Sequence, residues 1–418
     1  MRVVVINTGT ELLLGDVLNT HLAFIAHELF PLSLRVERQL SVPDGPAIRD
    51  ALLENLPQAD LIFVTGGLGP TTDDITREIT AELLGLELIH DPILAAAITE
   101  RLHRRGIRLT DRILRQAQVP RGAEVLPNEN GTASGLYLAP SDNGGNPTPH
   151  LFLLPGPPRE LQPMFVEFVL PILRRIVRQT GEFACRSYRV VGMGESYVEE
   201  AVGVHLLALP GLELGYCARM GEVDLRVIGS PAVLEEADAI VRRKLAASLF
   251  STSSENLETV VVSQLAEKGA TLAVAESCTG GYLAHRLTNV PGASSVFLAG
   301  YVTYSNEAKI SSLGVPADLI VEHGAVSKPV ARSMAEGALA RSKTSFALAT
   351  TGIAGPGGGT EAKPVGTAVL ALAGAGATKV RHLFFPTDRE TFKQLVTQTA
   401  LNLLRERLSG IEGSLGDD

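Results

Sequence analysis

Three segments in the last third of the chain contain residues suited to a hydrolytic reaction. Ser277 lies in AESCTGG, directly after an apolar run (271–275) that is typical of a buried strand. Tyr304 and Lys309 lie in YVTYSNEAK after a second such run, and the glycine-rich TGIAGPGGGTEAKPVGT (351–367) follows a third. A serine hydroxyl becomes a nucleophile when a base removes its proton, and a lysine with a lowered pKa is one such base. These residues therefore indicate a serine nucleophile, with Lys309 as its base and Tyr304 as a proton relay.

Each of these residues also has an ordinary structural interpretation. A serine at a strand–helix junction is commonly an N-cap, and a lysine such as Lys309, taken alone, is typical of a solvated helix surface. A single cysteine such as Cys278 usually packs in the core and does not react. The glycine-rich segment alone is typical of a turn-rich loop. The joint occurrence of three segments at the carboxyl ends of strands favours a site, because α/β sheets bind ligands there. The N–H groups of the helix that follows Ser277 also suit an oxyanion or a phosphate.

A second set of polar segments follows the strands predicted in the first 170 residues. Glycines beside a helix start admit a phosphate, and carboxylates from separate loops hold Mg²⁺ or a similar hard cation. Helix capping is an equally good interpretation of Asp73 and Asp74 in TTDD. Glu11 and Asp44, taken alone, are typical of solvated surface acids. The Walker A and GxGxxG patterns are absent. The residues concerned, from NTGTELLLGD, SVPDG and TGGLGPTTDD, are Glu11, Asp44, Gly66, Gly67, Gly69, Thr71, Asp73 and Asp74.

Alternating apolar runs and helical spacings predict the elements that must position both sets. The first part reads as β–α repeats, which predicts a doubly wound α/β sheet. A small module with the order β, α, β, β, α follows, and then a second α/β domain with helices between its strands. The predicted strands are 2–7, 34–42, 60–65, 136–139, 151–154, 186–191, two within 212–228, 271–275, 295–301, 346–351, 365–372 and 379–385, and the predicted helices of the first two parts are 20–29, 47–56, 72–84, 160–175, 195–207 and 233–249.

The same pattern predicts the domain boundaries. Residues 1–172 form the first α/β domain, 173–250 the small α+β module, and 258–412 the second α/β domain. Residues 251–257, which include the small polar run STSSEN, are predicted to be a linker because they lack apolar periodicity.

Composition narrows the class of protein. A net charge of −9 over 418 residues gives no general basic field, so no direct nucleic-acid binding is expected. No apolar stretch reaches the ~18 residues that a membrane span needs, and no charged leader or signal segment precedes the first strand. The three cysteines lie far apart without a CxxC pair. A reduced, cytoplasmic protein without a membrane partner is expected.

The C-terminal segments resemble the nicotinamide mononucleotide deamidase domain of the CinA (competence/damage-inducible) family. In that family a serine, a tyrosine and a lysine share the spacing found here, where Tyr304 lies 27 residues and Lys309 32 residues after Ser277. The resemblance implies that Ser277 is the nucleophile, activated by Lys309 and Tyr304, and that the products are nicotinic acid mononucleotide and ammonia. It implies no cofactor for this site. The substrate-binding residues that it implies are Thr279, Gly280, Thr351, Gly352, Gly355 and Arg389.

The N-terminal segments GTELLLG and GGLGPTTDD, with LPGPPRE (154–160) after them, resemble the MoeA/MogA-like molybdopterin-binding domain with which CinA proteins begin. The resemblance implies an ADP-ribose pyrophosphatase that uses a divalent cation (Mg, Mn or Co). It assigns nucleotide binding to Gly66, Gly67, Gly69 and Thr71. It assigns the metal to Glu11, Asp44, Asp73 and Asp74.

The whole chain therefore reads as a two-activity pyridine-nucleotide salvage enzyme, with a KH-like middle module and a homodimer expected from the resemblance. Its substrates would be nicotinamide mononucleotide and ADP-ribose. Two alternatives stay open: a non-catalytic adaptor in competence or DNA repair, and a molybdopterin-handling enzyme fused to an amidohydrolase. The acidic helix face of the middle module is unfavourable for RNA, which favours a scaffold role for that module.

Overall fold

The chain divides near residue 182 into two units, each of which contains its own sheets. The structure, a computed structural model, describes residues 1–143, 146–177 and 183–411. Within those residues no helix is both long and apolar enough to cross a membrane.

A six-stranded sheet forms the centre of the first unit. Its strand order is β2-β1-β3-β10-β7-β6. The first four strands are parallel, and β7 runs in the opposite direction, between β10 and β6, to which it pairs antiparallel. Strands β1 and β3 are buried throughout because helices cover both faces of the sheet. The predicted doubly wound α/β class is confirmed. The strands are β1 (Val3–Thr8), β2 (Val36–Val42), β3 (Leu61–Thr65), β4 (Leu88–His90), β5 (Gln118–Pro120), β6 (Glu124–Leu126), β7 (Gly135–Leu138), β8 (Asp142–Asn143), β9 (Asn146–Pro147) and β10 (His150–Leu154).

Helices pack on both faces of this sheet and bury two separate apolar clusters. The predicted helix 72–84 begins later, at Thr76, because residues 71–74 form a turn. The predicted helix 160–175 consists of two α-helices joined by a π-helical stretch, Phe165–Val169. The helices are α1 (Thr10–Leu14), α2 (His21–Leu29), α3 (Ala47–Asn55), α4 (Thr76–Leu83), α5 (Pro92–Arg104), α6 (Asp111–Leu114), α7 (Pro158–Met164) and α8 (Leu170–Ile176).

The second unit begins with a four-stranded antiparallel sheet of order β12-β13-β11-β14 under two helices. The observed order β, α, β, β, α agrees with the sequence pattern, and a further short strand, β14, follows. That strand includes Ser251, which the sequence pattern assigned to a linker. The likeness of this module to a KH domain stays a prediction. Its elements are β11 (Ala184–Val191), α9 (Glu195–Leu207), β12 (Glu213–Arg219), β13 (Glu222–Gly229), α10 (Pro231–Lys244) and β14 (Leu249–Ser251).

A five-stranded sheet of order β16-β15-β17-β18-β19 completes the second unit. Its first three strands are parallel, so their carboxyl ends meet at one edge, where the candidate catalytic segments begin. The strands are β15 (Leu272–Glu276), β16 (Phe297–Val302), β17 (Phe346–Gly352), β18 (Thr367–Ala373) and β19 (Lys379–Phe384). The helices are α11 (Leu257–Glu267), α12 (Tyr282–Thr288), α13 (Asn306–Leu313), α14 (Ala317–His323), α15 (Lys328–Ser342) and α16 (Arg389–Ser409).

A buried arginine connects the two sheets of the second unit. Arg405 on α16 donates hydrogen bonds to the carbonyl oxygen of Ala247, at 2.6 Å, and to that of Leu249, at 3.4 Å. Its Nε also donates to Asn402 Oδ1 at 2.8 Å. A buried guanidinium is tolerated when its donors are satisfied, so these acceptors hold the middle module against the last domain.

We expect Arg405→Leu to lower the free energy of unfolding of the full chain by about 2–4 kcal/mol, since buried acceptors would lose their donors. Urea titration followed by circular dichroism measures this change. The control is Arg243→Leu, because Arg243 is exposed on α10. A loss below about 0.5 kcal/mol, the size of an ordinary surface substitution, would contradict a connecting role for Arg405.

Candidate active sites at the strand ends

The nucleophile candidate lies at the carboxyl end of β15. Ser277 follows the last residue of this strand, and its backbone N–H donates to the Thr350 carbonyl oxygen on β17 at 2.9 Å. The bond fixes Ser277 between two parallel strands, at the edge where the sheet can admit a ligand. The side chain of Ser277 is buried.

Lys309 on α13 contacts this serine directly. Its Nζ lies 3.1 Å from Ser277 Oγ and donates to the carbonyl oxygen of Thr303 at 2.9 Å, with those of Tyr304 and Ser305 at 3.4 Å. Lys309 is only 1% exposed, and this burial lowers its pKa. The carbonyl oxygens favour the ammonium form, so they oppose the effect of burial while they aim Nζ at Ser277.

Tyr304 lies beside a different group. Its ring is 60% exposed, and its Oη accepts a hydrogen bond from Arg389 Nη2 at 2.7 Å. Arg389 Nη1 donates to the Gly355 carbonyl oxygen in the glycine-rich segment at 2.9 Å. The structure therefore brings Tyr304, Arg389 and Gly355 together. Within the described residues, the Tyr304 hydroxyl forms no hydrogen bond with Ser277 or Lys309, and Tyr304 contacts Lys309 only through its backbone carbonyl oxygen.

Two other predicted substrate contacts have hydroxyls engaged within the protein. Thr351 Oγ1 donates to the Ala325 carbonyl oxygen at 2.9 Å, and Thr279 Oγ1 lies 2.8 Å from Thr350 Oγ1. Gly352 is closely packed, because a Cβ there would lie 2.7 Å from the Thr367 carbonyl oxygen. By contrast, Gly280 has open space around its α-carbon and a left-handed φ of +59°. Among these four residues, Gly280 is exposed, Gly352 is half-buried, and Thr279 and Thr351 are buried.

Glu276 is a site residue that the sequence did not single out. This fully buried carboxylate accepts hydrogen bonds from Thr279 Oγ1 at 2.6 Å and from the backbone N–H groups of Gly281, Leu283 and Ala284 at 2.8–3.1 Å. Glu276 occupies these three N–H groups at the start of α12, so they are not available to the oxyanion or phosphate expected there. The available signal was the acidic residue in AESCTGG, directly before the nucleophile.

The predicted residues of the N-terminal site all line one cavity of about 530 Å³ in the first unit. Gly66 and Gly67 have left-handed φ angles of +98° and +68°. A Cβ at Gly67 would lie 2.0 Å from Thr76 Oγ1, so only glycine fits there. The cavity residues foreseen from the sequence are Glu11, Asp44, Gly66, Gly67, Gly69, Thr71, Asp73 and Asp74.

The acids of this cavity do not form a protein-only metal cluster. Among the residues that the structure describes, no three of His, Cys, Asp and Glu lie close enough together to hold a metal ion. Asp44 Oδ2 instead accepts from the Thr10 backbone N–H at 3.0 Å. The arrangement fits a cation only if one or two carboxylates share it with the phosphates of a substrate, as Mg²⁺ sites commonly do.

Residues 71–74 form a turn and do not cap a helix. Asp74 Oδ2 accepts hydrogen bonds from the Thr71 hydroxyl and from the Thr71 backbone N–H, the latter at 2.9 Å. A hydrogen bond from Thr71 also lowers the pKa of Asp73, so this acid is ionised at neutral pH. Helix α4 begins at Thr76 without a side-chain cap. The capping alternative is therefore wrong, and the turn presents its acids to the cavity.

Four buried polar or charged residues of the cavity lining were not predicted as site residues: Thr8, His21, Gln116 and Glu160. His21 Nδ1 lies 3.2 Å from Thr65 Oγ1, and burial lowers the pKa of His21, which favours its neutral form. Glu160 Oε2 accepts from Asn128 Nδ2 at 2.8 Å. Thr8 and Glu160 belong to the segments NTGTELLLGD and LPGPPRE, which could have indicated them, whereas Gln116 lies in no motif and gave no signal.

Comparisons with known proteins agree with the two-part organisation. Residues 254–408 match the family model "CinA C-terminal domain", and residues 4–175 match "Probable molybdopterin binding domain". A CinA-like protein of Akkermansia muciniphila is 46% identical over 402 residues, which cover 96% of each chain. A putative competence-damage inducible protein of Symbiobacterium thermophilum is 43% identical, with 96% of this chain and 97% of that protein covered.

Solved structures match parts of the chain. The competence/damage inducible protein CihA from Agrobacterium tumefaciens is 40% identical with a TM-score of 0.36, and the match covers 37% of this chain and 93% of that one. The protein CinA, of unknown function, from Thermoplasma acidophilum is 34% identical with a TM-score of 0.36, covering 41% and 97%.

The thiol next to Ser277 is expected to be unreactive. Cys278 is buried, and burial raises its pKa to about 12, so the thiolate is scarce at neutral pH. We expect iodoacetamide at pH 8 to alkylate the exposed Cys217 in the folded protein and Cys278 only after unfolding. Peptide mass spectrometry measures both positions. Rapid alkylation of folded Cys278 would contradict this assignment and make the thiol a competing nucleophile.

Proposed function

The chain belongs to the CinA family, and on that premise we propose that it hydrolyses pyridine nucleotides at two separate sites. The C-terminal site would convert nicotinamide mononucleotide and water into nicotinic acid mononucleotide and ammonia. The N-terminal cavity would cleave the diphosphate of ADP-ribose. The observation that carries the first assignment is the 3.1 Å contact between Lys309 Nζ and Ser277 Oγ at a sheet edge.

The proposed deamidation proceeds through an acyl-enzyme. Lys309, as a neutral amine, takes the proton of Ser277 while Oγ attacks the carboxamide carbon. The tetrahedral intermediate collapses when Lys309 returns that proton to the leaving nitrogen, which departs as ammonia. A water molecule, deprotonated by the same amine, then attacks the ester carbon. Nicotinic acid mononucleotide leaves, and Ser277 recovers its proton.

The burial of Lys309 supports this role. A lysine in water is protonated at neutral pH and cannot accept a proton, whereas burial lowers the pKa of Lys309. The Thr303 carbonyl oxygen, 2.9 Å from Nζ, holds the amine in the orientation that reaches Ser277. An adaptor without catalytic activity would have no use for a buried lysine aimed at a buried serine.

Arg389 is proposed to bind the phosphate of the mononucleotide. Its two side-chain hydrogen bonds go to neutral oxygens, those of Tyr304 and Gly355, so its positive charge is not offset by an acid in those bonds. A guanidinium suits a phosphate because it offers several donors in one plane. Tyr304 would then position Arg389, and the backbone at Thr279, Gly280, Thr351 and Gly352 would shape the site.

The N-terminal proposal depends on the glycines and acids of the 530 Å³ cavity. Positive-φ glycines allow backbone N–H groups to approach a diphosphate. One or two of the four acids Glu11, Asp44, Asp73 and Asp74 would share, with that diphosphate, a divalent cation that arrives with it. Because residues 4–175 match a molybdopterin-binding family model, a nucleotide-linked pterin is the second candidate ligand for this cavity. Incubating the pure protein with ADP-ribose and assaying AMP separates the two.

The predicted homodimer, the cytoplasmic location and the lack of a nucleic-acid partner remain predictions within this proposal. The KH-like assignment of the middle module is likewise a prediction. None of them enters the chemistry of either site.

We expect Ser277→Ala to abolish release of ammonia from nicotinamide mononucleotide while it leaves substrate binding intact. Lys309→Arg should reduce the rate by at least about 10²-fold, because guanidinium keeps its proton at any useful pH. The two losses should not add, since the residues act as one unit. In the unmodified protein the rate should fall as pH decreases, because protonation removes the base.

Matched controls are Ser295→Ala and Lys268→Arg, which alter exposed residues outside the site. Ammonia release and melting temperature are measured on all four variants. Near-normal turnover in Ser277→Ala, with a loss of stability near 1 kcal/mol, would reduce Ser277 to a structural cap.

We expect Asp74→Asn to abolish cation-dependent cleavage of ADP-ribose and to spare deamidation. The amide oxygen can still accept from Thr71, so the turn persists while the charge is lost. The control is Asp50→Asn, on the exposed side of α3. AMP formation against Mg²⁺, Mn²⁺ or Co²⁺ concentration is the measurement. Full activity of Asp74→Asn would show that this carboxylate only shapes the turn.

A further inference from the structure

Among the residues that the structure describes, two buried polar atoms in the lining of the N-terminal cavity have no hydrogen-bond partner: Thr8 Oγ1 and Gln116 Oε1. The two residues are 6% and 3% exposed, so bulk water does not compensate them. Native proteins retain few such atoms because each one destabilises the folded state. Their presence in one cavity suggests that a ligand supplies the missing partners.

The amide of Gln116 has a defined orientation. Gln116 lies in a 3₁₀ turn, Arg115–Ala117, and its Nε2 donates to the Leu68 carbonyl oxygen at 3.1 Å. The bond fixes which end of the amide is oxygen, because a carbonyl accepts only from the nitrogen. Gln116 Oε1 is therefore a pure acceptor, held beside the loop formed by residues 66–69.

Thr8 approaches the same loop from another element. It is the last residue of β1, and a Cβ at Gly66 would lie 2.5 Å from its Oγ1. The glycine at position 66 thus leaves room for the hydroxyl. A threonine hydroxyl both donates and accepts, so Thr8 can complement either a donor or an acceptor on a ligand.

The chemistry at Gln116 excludes a phosphate and requires a donor. A phosphate oxygen carries no proton at neutral pH, so it would repel Oε1, whereas an amine or hydroxyl donates to it. The acids Asp73, Asp74 and Glu160 of the same cavity favour hydrogen-bond donors over anions wherever no bound cation offsets their charge. A nucleotide has two kinds of neutral donor, the amino group of its base and the hydroxyls of its sugar.

We propose that Gln116 and Thr8 form the specificity-determining contacts of the N-terminal cavity, with Gln116 Oε1 accepting a hydrogen bond from a neutral N–H or O–H group of a bound nucleotide. This inference rests on the proposed nucleotide-binding function and adds the part of the nucleotide that is recognised. It gives both residues a role that the glycines and acids of the motif do not supply.

The test measures binding of four probes to the full chain by isothermal titration calorimetry. The probes are AMP and three analogues of it. Inosine monophosphate lacks the amino group of the base, 2′-deoxy-AMP lacks the 2′-hydroxyl of the sugar, and 3′-deoxy-AMP lacks the 3′-hydroxyl. The unmodified protein should bind one of the three analogues about tenfold more weakly than AMP, because a buried acceptor is then left unpaired. The analogue that binds more weakly identifies the nucleotide group that donates a hydrogen bond to Gln116 Oε1.

The substitution Gln116→Met should remove this discrimination. AMP should bind about tenfold more weakly to it, while the affinity for the discriminated analogue should stay unchanged. The matched control is Gln118→Met, because Gln118 lies on β5 and does not line the cavity. Equal weakening of all four probes would overturn the proposal, since it would mean that Gln116 only supports the loop through Leu68.

The substitution Thr8→Val gives an independent readout if Gln116→Met does not fold. It removes a buried unpaired hydroxyl, so the ligand-free protein should melt about 2–4 °C higher. The increase in melting temperature that AMP produces should become smaller. A lower melting temperature without ligand, or an unchanged AMP effect, would overturn the role of Thr8.

The outcomes also separate this inference from the proposed function. If none of the four probes binds the unmodified protein, the nucleotide assignment of the cavity fails and the inference fails with it. If AMP binds and Gln116→Met keeps the full discrimination, the nucleotide assignment stands and the inference alone is overturned.

Discussion

The burial of the Lys309 side chain is the constraint on which the C-terminal half of the structure depends. An amine without access to water is stable only if its environment supplies acceptors. Here the carbonyl oxygens of Thr303 and Ser305, in the segment between β16 and α13, supply them. Those carbonyls are free to point inward because the backbone leaves the sheet at Thr303 before the helix starts at Asn306. The parallel arrangement of β15, β16 and β17 then brings Ser277 within 3.1 Å of the amine.

The same sheet edge contains a second buried ionisable group, the carboxylate of Glu276, whose position complements that of Lys309. Backbone N–H groups at the start of α12 stabilise the carboxylate, and backbone carbonyl oxygens stabilise the amine. Each ionisable group is thus satisfied mainly by the main chain. This arrangement leaves the Ser277 hydroxyl as the polar atom toward which Lys309 is directed.

The polar groups in the cavity of the first unit are held differently from those of the C-terminal site. That cavity contains carboxylates that are held by turns and two polar atoms, on Thr8 and Gln116, that remain without partners. Binding sites commonly contain such polar atoms, which lower the stability of the ligand-free protein, because function and stability compete there.

The sequence by itself determined the elements and the residues at their ends. Apolar runs such as those of β1 and β15 are long enough, and sufficiently uniform, to be recognised as buried parallel strands, and chain connectivity then places the next segment at the carboxyl end of each strand. For this reason Ser277, Lys309 and the acids of the TTDD segment could be singled out, and all of the predicted N-terminal residues line one cavity.

Only the tertiary structure decided which side chains meet. The pairing of Tyr304 with Arg389, residues on elements 85 positions apart, depends on how α16 packs against the sheet, and no local pattern encodes it. Gln116 reaches the glycine loop from 48 positions away for the same reason. The local periodicity of apolar residues predicts whether a residue is buried. The hydrogen-bond partner of a buried polar atom, by contrast, depends on how elements distant in sequence pack together.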